Sequence, residues 1–102
     1  PSKVEKLLAK ILGFSNNPND LKVVEGIGPK IEGLLKDAGI NTWGALATTS
    51  VDRLKEVLTA AGDRYRLADP TSWPKQAELA AAGKWGELAD YQEYLSGGKE
   101  PS

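Results

Sequence analysis

An all-α fold is predicted for this chain by three observations. Apolar residues recur at helical spacing, proline or a capping residue opens each such segment, and glycine closes most of them. No segment shows the period-two alternation of a half-buried strand. In KVEKLLAKIL, residues 3–12, Val4, Leu7, Leu8, Ile11 and Leu12 fall on one helical face, with Lys3, Lys6 and Lys10 opposite. Gly13 ends this amphipathic helix, and SNNPND, rich in turn formers, makes a connector.

Asn19 or Asp20 can cap a short helix running to Val24. A tight turn, EGIG, follows, and Pro29, whose fixed φ suits the first helical position, opens a helix to Ala38 before Gly39. Ile31, Leu34, Leu35 and Ala38 form its apolar side. Asn41 or Thr42 can cap TWGALA, and Ser50 can cap VDRLKEVLTAA, which Gly62 closes. GDRYRLADPTSW has no sustained period and reads as a loop with at most a single helical turn. Pro74 restarts a helix closed by Gly83, and WGELADYQEYL forms the last helix, stopping at Gly97 and Gly98.

The chain echoes itself. Pro-Lys at 29 and 30, Ala-Gly at 38 and 39 and WGALA at 43–47 recur in order at 74 and 75, 82 and 83, and as WGELA at 85–89. Duplication explains the recurrence; so does the ordinary punctuation of short helices. The expected organisation is an N-terminal helix and connector over 1–18 and one domain over 19–98, followed by a disordered tail over 99–102. Within the domain, 19–48 is the first half and 50–96 a degenerate second half.

Composition limits the chemistry. With 102 residues, 40% of them hydrophobic, the chain can bury a core of its own. It has no cysteine and no histidine, which removes disulfides, thiolate and imidazole metal ligands, and Cys- or Ser/His-type nucleophilic catalysis. Carboxylate pairs such as Glu87 with Asp90 are neighbours on a solvated helix face with no partner base, so no catalytic residue, cofactor or metal ligand is expected. Thirteen basic against fourteen acidic residues give a net charge of −1, so binding to a polyanion has to be local. No apolar run reaches the roughly 18 residues of a membrane span and no secretory signal is present, from which a cytoplasmic location is expected. The Pro-Ser start and the lack of methionine read as an excised domain or a processed product.

The EGIGPK turn is the segment with chemical potential. Its glycines can take backbone angles closed to other residues, Ile27 can turn inward as a seal, and the helix starting at Pro29 adds partial positive charge where the amides of Gly26, Ile27 and Gly28 converge. Lys30 stands one step into that helix as a mobile point charge. An anion is the natural guest, although the same residues also suit a packed αα-corner. No strand precedes the turn and no GK[ST] follows, so neither a dinucleotide fingerprint nor a P-loop is present.

The run LKVVEGIGPKIEGLLKDAGI resembles the helix-hairpin-helix family. Its continuation, AGDRYRLADPTSWPKQAELAAAGKW, is similar to a bacterial version of that module, appended to otherwise unrelated proteins including a large-subunit ribosomal protein. The resemblance covers residues 19–98 and implies a tandem helix-hairpin-helix-like bundle that binds DNA or RNA backbones without sequence preference. It further implies Gly26, Ile27 and Gly28 as phosphate contacts and Lys30 as their basic support, in a non-enzymatic accessory module of a larger protein. Glu25 replaces a frequent proline and Glu32 a frequent alanine, and the turn before Pro74 has no Gly-x-Gly, so a single anion site is expected. Residues 19–41 hold Lys22, Lys30 and Lys36 against Asp20, Glu25, Glu32 and Asp37, which suits weak binding. A protein-interaction or assembly domain that keeps the hairpin only as a fold element is the alternative, motivated by the acidic balance. Arg53, Lys55, Arg64 and Arg66 with Tyr65 offer a second basic cluster, readable also as a salt-bridged surface. Trp43, Trp73 and Trp85 can stack on bases, but their place at helix starts favours core anchors.

Overall fold

The computed structural model describes residues 3–95. The predicted stop at Gly97 and Gly98 and the predicted tail, 99–102, lie outside the described residues. Six α-helices are formed among the described residues: α1 (Lys3–Gly13), α2 (Pro29–Asp37), α3 (Trp43–Ala47), α4 (Val51–Ala61), α5 (Trp73–Ala81) and α6 (Trp85–Glu93). Single 3-10 turns lie at Leu21–Val23, Asp63–Tyr65 and Pro70–Ser72, and no strand occurs among the described residues.

Local chemistry sets these limits. Asp20 rather than Asn19 caps the first 3-10 turn, its Oδ1 accepting from the Lys22 amide at 3.1 Å. Thr42 rather than Asn41 caps α3, accepting from the Ala45 amide at 3.1 Å, and Ser50 caps α4 through the Arg53 amide at 3.1 Å. Between Gly62 and Trp73 the chain makes two turns of 3-10 helix where one at most was expected. Asp69 nucleates the second by accepting from the Thr71 amide at 3.0 Å. Helix α5 begins at Trp73, one residue earlier than the proline suggests, because Pro74 fits within the first turn, where an amide has no partner to lose.

The sequence echo has a geometric counterpart. Helices α2 and α5 both end in a left-handed glycine, Gly39 at φ 88° and Gly83 at φ 70°. Each is followed by the same closing bond, from the Ile40 amide to the Leu35 carbonyl and from the Lys84 amide to the Leu79 carbonyl, both 2.9 Å. A tryptophan-led helix comes next in each case, and the indoles of Trp43 and Trp85 meet edge to face at 5.2 Å. Trp43 and Trp73 are buried and Trp85 is partly buried against the core, so all three serve as core anchors.

Helix α3 packs chiefly on α5, α6 lies on α5, and α2 lies on α4. Helix α1 lies against α6, where Leu7 and Ile11 are half-buried and Phe14, just beyond the helix, stacks at a tilt on Trp85 at 5.2 Å. Around this framework the hairpin is anchored by Leu21, Val24 and Ile27, all nearly or fully buried.

Two glutamines fix the hairpin from behind. Gln76 of α5 is fully buried, and its Oε1 accepts from the Glu25 amide at 2.7 Å while its Nε2 donates to the Glu25 carbonyl at 3.2 Å. Gln92 of α6 donates from Nε2 to the Val23 carbonyl at 2.7 Å and to Gln76 Oε1 at 2.8 Å, and Gln76 Nε2 also reaches Ser72 Oγ at 3.0 Å. Both backbone polar groups of one turn residue, Glu25, are thereby satisfied by a side chain 51 residues away. No buried side-chain nitrogen or oxygen among the described residues lacks a partner.

Removing that pairing while keeping the side chain's bulk, with Gln76→Leu, orphans the Glu25 amide and carbonyl and is expected to destabilise the fold by about 3 kcal/mol. Urea denaturation measures this, and a loss below about 1 kcal/mol would show that the pairing does not hold the turn. The two hairpin glycines are expected to behave oppositely. At Gly26, φ is 103° and a Cβ would stand 2.9 Å from Trp73 Nε1, so Gly26→Ala is expected to cost at least about 2 kcal/mol. At Gly28, φ is −100° and a Cβ would meet nothing within 4 Å, so Gly28→Ala is expected to stay within about 0.5 kcal/mol of the wild type. Thermal and urea melts of the two variants check the contrast.

Candidate nucleic-acid interface

The hairpin is a four-residue turn, Val24 to Ile27, closed by the Ile27 amide donating to the Val24 carbonyl at 3.1 Å. Gly26 occupies its third position with positive φ, the conformation a type II turn requires there. Gly28 follows in extended conformation and serves as the N-cap of α2, with Pro29 in the first helical turn.

The four site residues expected from the sequence therefore have different roles. Ile27 is buried and its amide is committed inside the turn, so this residue acts as the seal and offers no donor to a ligand. Gly26 and Gly28 are exposed, and neither amide donates to an acceptor among the described residues. The N-terminus of α2 carries no side-chain cap, which leaves the amides of its first turn open together with the positive end of the helix dipole. Lys30 is exposed in that same turn.

Neighbouring carboxylates are drawn away from this end. Glu25, exposed at the second position of the turn, pairs with Lys10 of α1, Nζ to Oε1 3.7 Å. Glu32 turns back towards the preceding 3-10 turn, where its Oε2 accepts from the Leu21 amide at 2.9 Å. Its Oε1 lies 3.4 Å from Lys22 Nζ and its Oε2 3.7 Å from Lys36 Nζ. Asp20 lies 3.1 Å from Lys22 Nζ. Partial burial acts to raise the Asp20 pKa, but hydrogen bonds from the Lys22 side chain and amide outweigh it and hold the carboxyl below its ordinary value. The bond to Asp20 correspondingly raises the pKa of the Lys22 ammonium. Of the three lysines in residues 19–41, Lys30 alone forms no ion pair among the described residues.

Gln76 and Gln92 were not singled out by motif reading, and the pairing roles of Lys10 and Glu32 were not foreseen by it. A signal existed for the glutamines. Gln76 lies three residues after Trp73, and Gln92 seven after Trp85, so each falls on the buried face of its helix, where a polar residue needs a specific partner. The partners of Lys10 and Glu32 depend on tertiary placement and left no trace in local spacing.

Two of the four cations of the second basic cluster are paired with carboxylates. Arg53 pairs with Glu56 at 3.4 Å and Arg66 with Asp63 at 3.8 Å, while Arg64 lies over the Tyr65 ring, 5.4 Å from its centre. Tyr65 itself is partly buried against the core. On α1, Val4, Leu8 and Leu12 form a solvent-facing apolar stripe, 64%, 54% and 85% exposed. Among the described residues no helix is long and apolar enough to cross a membrane, and no three acidic side chains are grouped to hold a metal ion.

No curated protein and no solved structure is significantly similar to the chain. A family model described as the RS2/RL21/YNQ2 HHH domain, HHH standing for helix-hairpin-helix, matches residues 21–81. The match runs from the 3-10 turn before the hairpin to the end of α5, leaving α1 and α6 outside it. With the Gly-Ile-Gly turn set between two short helical segments and more than half its length matched, the chain belongs to the RS2/RL21/YNQ2 helix-hairpin-helix domain family, a class of nucleic-acid-binding or interaction modules.

Proposed function

We propose that the protein binds the phosphate backbone of DNA or RNA weakly and without sequence preference, as a non-catalytic accessory module of a larger protein. The ligands are the amides of Gly26 and Gly28, the open first turn of α2 and the ammonium of Lys30. Ile27 contributes by locking the turn from within. One observation carries the reading. Gly28 is a glycine that neither φ nor packing demands, placed at a helix N-terminus with no side-chain cap, beside a lysine that forms no ion pair among the described residues. Serine or aspartate there would cap α2 and stabilise it, so the missing side chain favours access over stability. A single strand of backbone touching one or two phosphates gives weak binding, and tethering to a larger assembly supplies the effective concentration that makes weak binding useful.

The apolar stripe of α1 supports a second reading, in which the module docks on a protein and the hairpin is only a fold element. A titration separates the two. Labelled duplex and single-stranded DNA and RNA are titrated at low salt with wild type, Lys30→Ala and Gly28→Asp. Backbone binding predicts that Gly28→Asp raises stability by about 0.5 kcal/mol, through a cap and a favourable charge at the helix end, yet weakens binding at least about tenfold. Lys30→Ala is expected to weaken binding several-fold on every sequence and to reduce the duplex salt slope by about 0.9. Negligible binding by all three proteins would refute the proposal and leave docking as the function.

A further inference from the structure

We infer that Lys10 of α1 is a second phosphate ligand, held by Glu25 while no nucleic acid is bound; the inference rests on the backbone-binding reading above. Helix α1 lies outside the family-matched segment, but its packing on α6 carries Lys10 to the flank of the hairpin. There an open cleft of about 520 Å³ runs between α1 and the turn. Gly26 and Ile27 contribute to its wall, whereas Gly28 and Lys30 do not, so the cleft adjoins the turn without including the α2 N-terminus. A backbone that touches the α2 N-terminus at Lys30 and continues over Gly26 into the cleft would come within reach of Lys10.

The cleft's charged rim consists of Lys10, Asp20, Lys22 and Glu25. Asp20 and Lys22 are locked together by the 3.1 Å ion pair and by the Lys22 amide bond to the same carboxylate, and Lys22 also reaches Glu32. Lys10 and Glu25 share a single contact at 3.7 Å, with side chains 35% and 49% exposed. Such a solvated pair contributes little to stability, so exchanging the carboxylate for a phosphodiester loses little, while the polyanion adds counterion release. Glu25 is then an internal competitor. It occupies the lysine in the free protein and lowers its apparent affinity for phosphate by a small factor.

The test uses the full chain, with fluorescence anisotropy of labelled DNA duplex and single-stranded RNA across a salt series. Lys10→Ala is compared with Lys6→Ala, an equal change of charge at an exposed position on the same helix. Lys10→Ala is expected to bind about fivefold more weakly with a duplex salt slope smaller by about 0.9, and Lys6→Ala to change affinity by less than about twofold. Glu25→Gln is expected to bind about threefold more tightly, with most of that gain lost when Lys10 is also alanine. Equal effects at Lys10 and Lys6, or no gain from Glu25→Gln, would overturn the inference and leave the hairpin site standing. Absence of binding by wild type would overturn the hairpin site as well. Thermal melts confirm that each variant is folded.

Discussion

A turn of four residues has few side chains with which to hold its own shape, so its geometry has to be imposed by what packs behind it. Here the carboxamide of Gln76 pairs with the amide and the carbonyl of Glu25, and Gln92 joins it to the Val23 carbonyl. Both glutamine side chains are buried, the bonds to Glu25 themselves partly so, and in such surroundings an unmade hydrogen bond costs more than a made one contributes. The turn is consequently specified by α5 and α6 as well as by its own residues. Gly26 completes the fit, because any Cβ there would press on the Trp73 indole. The chain's second half, which has no Gly-x-Gly of its own, thus acts as a clamp on the hairpin of the first.

Charge is sorted by the same packing. Counted along residues 19–41 the hairpin region is slightly acidic, yet the carboxylates of Asp20, Glu25 and Glu32 are all engaged by Lys22, Lys10 or Lys36. Glu32 is the clearest case. It reaches from α2 back to the preceding 3-10 turn and accepts from the Leu21 amide. What remains at the α2 N-terminus is an open set of amides and Lys30. Net charge, a sum over the whole chain, is blind to this arrangement.

Much of the fold was legible because short helices are governed by local chemistry. The caps at Thr42 and Ser50, the glycine stops at Gly39, Gly62 and Gly83, and the three tryptophan anchors all follow from residue type and spacing. Two turns of 3-10 helix in residues 63–72 escaped because a three-residue turn leaves no periodicity to read. The division of labour within Gly26-Ile27-Gly28 was equally hidden. Spacing puts three amides together, but only the closing bond from Ile27 to Val24 shows which one is spent internally. Gln76 stands at the same offset from Pro-Lys as Ile31 does in the first half, and only the backbone 51 residues away explains the change from apolar to amide.

Amide chemical-shift mapping of the uniformly ¹⁵N-labelled protein, titrated at low salt with a short DNA duplex and then a single-stranded RNA, tests the central claim most directly. The account predicts that the largest shifts fall on the amides of Gly26, Gly28, Lys30 and Ile31, with the Ile27 amide moving little because its bond to Val24 persists. Shifts confined to α1 or α6, or spread evenly over the surface, would contradict it.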